Sequence, residues 1–185
     1  MTNSEVLIDI LHELYPDRTK NCIDMENDQQ LIVYEGDDSR SYLRAISEDE
    51  SDSIIGFKIT NNKCKSIHLL AVDACFFHSS DEKKRCDCLI FDNYTLCFVE
   101  LKTNARRHRA TKRLKGVRNQ IAASIQFFKT HILSDSRVVD KYELEAYVVM
   151  KDNVYPRSRP SHQATLLDFL EQYGVELFEQ NTKSF

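Results

Sequence analysis

Three ionisable residues interrupt two apolar segments of the chain. Residues 85–91 read RCDCLIF and residues 96–102 read LCFVELK, so that Asp87, Glu100 and Lys102 stand among residues typical of buried strands. The DNYT sequence between the segments is typical of a turn. A hairpin centred on that turn pairs Asp87 with Glu100, and Lys102 leaves the strand on the same face as Glu100. The pattern predicts two carboxylates and one amine at one end of a hairpin.

Carboxylates in direct cross-strand contact destabilise a sheet unless a positive charge lies between them. Mg²⁺ is bound in proteins by one or two carboxylates together with waters and phosphate oxygens. Such an ion activates water and stabilises charge on a phosphoryl oxygen, while a lysine stabilises the developing charge or orients the nucleophile. The residues therefore indicate phosphodiester hydrolysis. In the alternative interpretation Asp87 and Glu100 are edge-strand charges, paired with Lys102 and Arg85 in a salt-bridge ladder.

The elements that must position these residues follow from periodicity and turn signals. Helices are predicted over residues 4–14, from Ala110 to Ile132 and over residues 164–174, the last ending at Gly174. Strands are predicted in residues 30–36, 54–59, 66–78, 85–91, 96–102, 143–151 and 175–180. Residues 35–53 read as a loop with one short element near residues 42–46. The order predicts an α/β fold with a central mixed β-sheet flanked by helices.

The length of 185 residues is consistent with one domain. We assign residues 66–151 to its core, 21–60 to an acidic N-terminal elaboration and 161–185 to a C-terminal helix and strand. No apolar run is long enough to span a bilayer. The first residues read as an amphipathic helix rather than a secretory signal, so we expect reduced cysteines and a cytoplasmic location.

The net charge of −4 is unevenly distributed. Residues 21–53 carry ten acidic side chains against two basic ones, and residues 106–118 carry seven basic side chains and no acid. The asymmetry predicts one surface that repels a polyanion and another that attracts it, although charge runs are often only solvated faces.

The cysteines permit a second chemistry. Cys86 and Cys88 alternate with Asp87, so we predict that both point, with Cys97, away from the carboxylates into the core. Cys64, Cys75, His68 and His78 lie nearby in sequence, and a zinc site stays an open alternative. No C-x2-C pair is present to support it.

The CDCLIF and TLCFVELK segments and the helix after them resemble the core of the PD-(D/E)xK nuclease superfamily, which has the restriction-endonuclease-like fold. The resemblance covers roughly residues 66–151. Asp87 stands in the place of the motif aspartate, and Glu100-Leu101-Lys102 in that of the E-x-K. One departure is Cys86, which stands where the proline that names the family would be.

The resemblance implies cleavage of DNA, less often RNA, with Mg²⁺ or Mn²⁺ held by Asp87, Glu100 and the backbone carbonyl of Leu101. Gln120 stands where many members have a glutamine near the site. Many members also contribute an acid from the first helix, which Glu13 or Glu5 could supply. Asp73 is a further candidate acid, for which we favour a structural role.

The basic residues around the start of the second predicted helix are candidates for nucleic-acid binding. Arg109, Arg113 and Gln120 fall on one flank of the helix, where arginines could contact phosphates. Arg106 and Arg107 extend this charge toward the hairpin. A solvent-facing flank is the alternative.

The sequence thus predicts a metal-dependent nuclease, most simply a deoxyribonuclease, in repair, restriction or defence. The alternative function is a non-catalytic nucleic-acid-binding or protein-interaction module of the same fold. A chain this small is expected either to form a homodimer or to depend on a partner protein for targeting, and no membrane partner is expected.

Overall fold

The structure is a computed structural model that describes residues 1–51, 54–77, 85–103, 110–151 and 160–185. Its helices are α1 (Asn3–Leu14), α2 (Pro16–Thr19), α3 (Glu48–Ser51), α4 (Ala110–His131) and α5 (Pro160–Tyr173). Its strands are β1 (Ile23–Glu26), β2 (Gln30–Glu35), β3 (Ser41–Ala45), β4 (Phe57–Thr60), β5 (Ile67–Ala71), β6 (Cys88–Phe91), β7 (Thr95–Leu101), β8 (Glu143–Val149), β9 (Glu176–Phe178) and β10 (Thr182–Ser184).

Six strands form a mixed sheet in the order β1-β5-β6-β7-β8-β9. The pairs from β1 to β7 are antiparallel, whereas β7-β8 and β8-β9 are parallel. Helix α4 connects β7 to β8, as a parallel pair requires. The predicted α/β class with a mixed sheet is confirmed.

Helices cover one face of this sheet. The stripe predicted in the long helix is buried there, and its described members are Leu114, Val117, Ile121, Ile125, Phe128 and Ile132. They pack with Leu89 and Phe98 of the central hairpin and with α1. Helix α1 begins at a capping box in which Thr2 and Glu5 satisfy each other's backbone N–H groups.

A second sheet covers the opposite face, where helices were expected as well. It has four strands in the order β10-β4-β2-β3. Leu31, Phe57 and Ile59 of this sheet form one buried cluster with Ile90 and Val99 of the hairpin. The residues 35–53 predicted as a loop with one short element supply β3, which pairs with β2, and α3.

The strand predicted over residues 66–78 is shorter than expected. It ends at Ala71, and residues 72–76 form an irregular turn in which Ala74 has φ +60°. The apolar run does not continue the strand because the N–H groups of Val72 and Asp73 both donate to the Asp87 carbonyl. Apolar content predicted burial here, and it could not distinguish a buried turn from a buried strand.

The expectation that the cysteines are all reduced is wrong in the structure. Cys75, in the 72–76 turn, forms a disulfide with Cys22, which immediately precedes β1. The bond ties the edge of the six-stranded sheet to the turn that contacts Asp87. Among the described residues no helix is both long and apolar enough to cross a membrane.

Candidate active site

The register of the central hairpin is the one predicted from the DNYT turn. Cys88 pairs with Val99 and Phe91 with Leu96, so Asp87, one residue before β6, stands opposite Glu100 in β7. The turn is fixed by Asp92, whose Oδ1 accepts the N–H groups of Tyr94 and Thr95 at 2.8 Å each. These local bonds set which residues of the two strands face each other.

The three predicted ionisable residues converge. Lys102 Nζ lies 2.5 Å from Glu100 Oε1 and 4.0 Å from Asp87 Oδ2. Asp87 Oδ2 also accepts the N–H of Leu101 at 2.5 Å, which places the Leu101 backbone beside both carboxylates. Glu100 is completely buried, whereas the Asp87 and Lys102 side chains are 20% and 28% exposed. The site is thus open to solvent on the side of Asp87 and Lys102.

Burial dominates the electrostatics of the pair. It raises the pKa of Glu100 to about 8, and the neighbouring Asp87 carboxylate adds to that rise. Burial also raises the pKa of Asp87 to about 6, although Lys102 and the Leu101 N–H oppose it. Burial disfavours the charge of Lys102, but Asp87 and Glu100 outweigh this and raise the pKa of its amine. Among the described residues the two acids therefore share a single positive charge, the Lys102 amine. A further positive charge beside them would be electrostatically favourable.

The residues fit a divalent cation. Among the described residues neither Glu100 oxygen accepts a hydrogen bond from a backbone or neutral donor, and its charge is met by Lys102. A buried carboxylate with so few donors is costly unless a cation satisfies it. No group of three or more His, Cys, Asp or Glu side chains in the described part of the chain is arranged to hold a metal. Two carboxylates and the Leu101 carbonyl would be the protein's share, and water or substrate would supply the rest.

Two other acids lie near the pair. Asp73, in the 72–76 turn, raises the pKa of both Asp87 and Glu100 through its charge, and its Oδ1 accepts the N–H of Ala74 at 3.1 Å. Glu35, at the end of β2, also raises the pKa of Asp87 and lines a cavity with Thr103, the residue after Lys102. Glu35 was missed because no periodicity in the acidic stretch singles it out.

The N-terminal candidates are engaged elsewhere. Glu13 forms an exposed ion pair with Arg137, with Oε2 2.7 Å from Nη2. Glu5 belongs to the α1 capping box, where its carboxylate accepts the Thr2 N–H at 2.7 Å. Their side chains are held by these partners at the surface, and among the described residues neither is one of the main contributors to the pKa of Asp87 or Glu100.

Gln120, on α4, contacts the backbone next to the site rather than the carboxylates themselves. Its Nε2 donates to the Arg85 carbonyl at 3.1 Å, two residues before Asp87. Ser124, one turn later and fully buried, accepts the N–H of Cys86 at 2.8 Å. Ser124 was not singled out from the sequence, although its spacing of four residues from Gln120 was a usable signal.

The predicted phosphate-binding arginines cannot all be located. Arg106, Arg107 and Arg109 lie outside the described residues, and Arg113 belongs to α4 with a side chain outside them. Arg118, further along α4, donates to Glu179 Oε1 at 3.1 Å, and Glu179 Oε2 lies 2.8 Å from His162 Nε2.

The cysteine prediction is right for two residues and wrong for a third. Cys88 and Cys97 are buried against the second sheet, on the face opposite the carboxylates. Cys86 instead packs in the helix-side core, because the chain has not yet entered β6 and strand alternation does not apply. Burial raises the pKa of the Cys86 thiol, which disfavours a thiolate nucleophile. Of the proposed zinc ligands, Cys75 is in the disulfide, Cys64 is exposed and His78 lies outside the described residues.

Comparison with protein-family models, with curated proteins and with solved structures gave no match to the chain.

Proposed function

We propose that this protein is a Mg²⁺- or Mn²⁺-dependent nuclease that hydrolyses phosphodiester bonds, with DNA as its substrate. The observation that carries the proposal is the completely buried Glu100 carboxylate beside Asp87, with Lys102 in contact with both. The resemblance of these residues to the PD-(D/E)xK motif agrees with the mixed sheet and its antiparallel meander.

Each residue has a role consistent with its surroundings. Asp87 and Glu100 would hold the cation, which when bound supplies Lewis-acid stabilisation of phosphoryl charge and an activated water. Because burial raises the pKa of Glu100, this carboxyl must lose any proton it carries before it can act as a ligand. Lys102 is partly exposed, so its amine can also reach a phosphate oxygen and stabilise charge that develops there.

The substrate class is inferred from charge. The basic residues 106–118 begin after Thr103, Asn104 and Ala105, the three residues that follow Lys102. Clusters of Lys and Arg supply most of the affinity for a phosphate backbone. A role in repair, restriction or defence, and targeting through a homodimer or a partner protein, are consistent with a domain of this size.

A cleavage assay tests the proposal. Purified protein is incubated with single- and double-stranded DNA and with RNA, in Mg²⁺, Mn²⁺ or EDTA, beside Lys102→Ala. Lys65→Ala is the matched control, since Lys65 pairs with Asp92 at 2.8 Å at the other end of the hairpin. We expect metal-dependent cleavage of DNA that Lys102→Ala loses and Lys65→Ala retains. Equal cleavage by Lys102→Ala, or none by the wild type on any substrate, would contradict catalysis.

The second candidate is a non-catalytic nucleic-acid-binding module. The 2.5 Å contact between Lys102 and Glu100 favours it, because the ion pair neutralises one carboxylate without a metal. Such a module would bind nucleic acid as tightly in EDTA as in Mg²⁺ and would leave the nucleic acid uncleaved.

A further inference from the structure

One peptide group next to the candidate site is held at both ends by α4. The Arg85 carbonyl accepts a hydrogen bond from Gln120 Nε2 at 3.1 Å, and the N–H of Cys86 donates to Ser124 Oγ at 2.8 Å. These two backbone groups belong to the same peptide unit. Gln120 and Ser124 are four residues apart and therefore lie one above the other on the helix.

A second hydrogen bond orients the Ser124 hydroxyl so that its oxygen can accept the Cys86 N–H. The hydroxyl donates to the Gln120 carbonyl at 3.2 Å, so a lone pair faces the Cys86 N–H. Ser124 is completely buried. Water therefore does not replace this acceptor, and the Cys86 N–H depends on the serine.

This contact lies just before the start of β6. The ladder pairs of β6 that the structure describes begin at Cys88, so contacts other than these pairs position the backbone just before the strand. Asp87 itself is held by the Val72 and Asp73 N–H groups at its carbonyl and by the Leu101 N–H at its carboxylate. The two α4 contacts constrain the Arg85–Cys86 peptide unit just before it.

We propose that Gln120 and Ser124 are positioning residues that set where the Asp87 carboxylate lies relative to Glu100. The proposal rests on the proposed function, because it concerns the same cation site. Residues that orient metal ligands through hydrogen bonds typically change metal affinity 10–100-fold when they are removed. A purely structural role would lower stability and leave the site's geometry unchanged.

The test uses Ser124→Ala and Gln120→Met, which each remove one of the two bonds with little change in side-chain size. Ser134→Ala is the control, because Ser134 makes the same type of bond to a carbonyl four residues earlier, at 2.9 Å to Thr130, on the exposed surface. Two quantities are measured well below the unfolding temperature. They are the Mn²⁺ dissociation constant by calorimetry and the proton chemical shift of the Leu101 amide, which reports its bond to Asp87.

We expect roughly 10–100-fold weaker Mn²⁺ binding in both variants and an upfield shift of the Leu101 amide proton, with neither change in Ser134→Ala. A lower melting temperature with an unchanged dissociation constant and an unchanged Leu101 shift would overturn the proposal. If Ser124→Ala does not fold, Gln120→Met decides, because Gln120 is partly exposed and leaves no buried N–H unpaired.

Failure of the proposed function is distinguishable from failure of this inference. If the wild type binds no Mn²⁺, the metal-dependent function is contradicted, and the Leu101 shift alone decides whether α4 positions Asp87. If the wild type binds Mn²⁺ and cleaves DNA while both variants behave like Ser134→Ala, the function stands and the positioning role is wrong.

Discussion

The central hairpin has buried acids at both ends, and their surroundings are opposite. At the turn, Asp92 is 2% exposed and accepts the N–H groups of Tyr94 and Thr95 and the amine of Lys65, each at 2.8 Å. Burial would raise its pKa, but these donors outweigh burial and hold the pKa below its usual value. At the open end, Glu100 is equally buried, and burial together with the Asp87 carboxylate raises its pKa although Lys102 opposes the rise.

The difference distinguishes an acid with a structural role from one that is a candidate for function. A buried carboxylate with a full set of donors stabilises the fold in its charged form, as Asp92 does by fixing the turn. A buried carboxylate with too few donors costs stability when it is charged, unless a ligand supplies the missing positive charge. Fold and candidate function thus occupy opposite ends of the same two strands.

The largest expected effect is on cleavage. Glu100→Gln keeps the side-chain shape and removes the charge that would hold the proposed cation, so the rate of the proposed DNA cleavage should fall by about 10²–10³-fold. Asp92→Asn, a matched change at the other end, should leave the rate within a few-fold at temperatures where it is folded. Cleavage rates of both variants in Mg²⁺ test this prediction. Equal losses of rate would contradict a functional difference between the two ends of the hairpin.

The comparison reverses for stability. Asp92→Ala leaves two N–H groups and the Lys65 amine without their acceptor, so the free energy of unfolding should fall by about 3 kcal/mol. Glu100→Gln removes a poorly satisfied buried charge and should keep or raise the stability of the metal-free protein. Urea unfolding in EDTA measures both. A larger loss in Glu100→Gln would mean that its ion pair with Lys102 is mainly structural.

A divalent cation should stabilise the folded protein only by binding at the open end of the hairpin, beside Glu100. Mg²⁺ at about 100 times its dissociation constant should add about 2.7 kcal/mol to the free energy of unfolding, because it binds the folded chain alone. Asp92→Asn should retain this gain and Glu100→Gln should lose it. Thermal unfolding with and without Mg²⁺ is the measurement, and a gain that persists in Glu100→Gln would locate the ion elsewhere.

The smallest expected effect is the change in the free energy of unfolding with each pH unit. Asp87 and Glu100 have folded-state pKa values above those of the unfolded chain, 3.8 and 4.5. The folded state therefore binds more protons between about pH 4 and pH 8, and stability falls as pH rises through that window. The slope is at most about 1.4 kcal/mol per pH unit for each proton.

Asp92 should act in the opposite direction. Its pKa is lowered by folding, so its contribution is present above about pH 4 and is lost as pH falls further. Urea unfolding from pH 3 to pH 9 in EDTA should show the free energy of unfolding falling both toward acid pH and toward alkaline pH. Glu100→Gln should flatten the loss of stability toward alkaline pH and leave the loss at acid pH, which Asp92→Asn should reduce. A wild-type protein whose stability rises from pH 5 to pH 8 would contradict the raised pKa values.

The predictable features were those set by local sequence. The DNYT turn and the alternation around it were sufficient for the register that opposes Asp87 and Glu100, because turn bonds between near neighbours fix the pairing. The stripe from Leu114 to Ile132 was sufficient for α4 and its buried face. Gly174, at φ +62°, follows the last residue of α5, as its placement indicated.

Features that depend on distant segments were not predictable. Strand β5 ends at Ala71 because the next N–H groups donate to Asp87, and the apolar run gives no sign of this. Cys22 and Cys75, 53 residues apart, pair because β1 and the 72–76 turn meet at one corner of the sheet. Cys86 was assigned to the wrong face because the start of β6 depends on its partner strands.

The sequence by itself determined which groups meet: two acids and a lysine on one face of a hairpin, in a register that short-range turn bonds enforce. Only the tertiary structure decided their chemical state. Burial of Glu100, the charges of Glu35 and Asp73, and the contact of Ser124 with the Cys86 N–H all depend on segments far apart in the chain. Long-range packing sets desolvation and donor supply, and these set the pKa values on which the proposed chemistry depends.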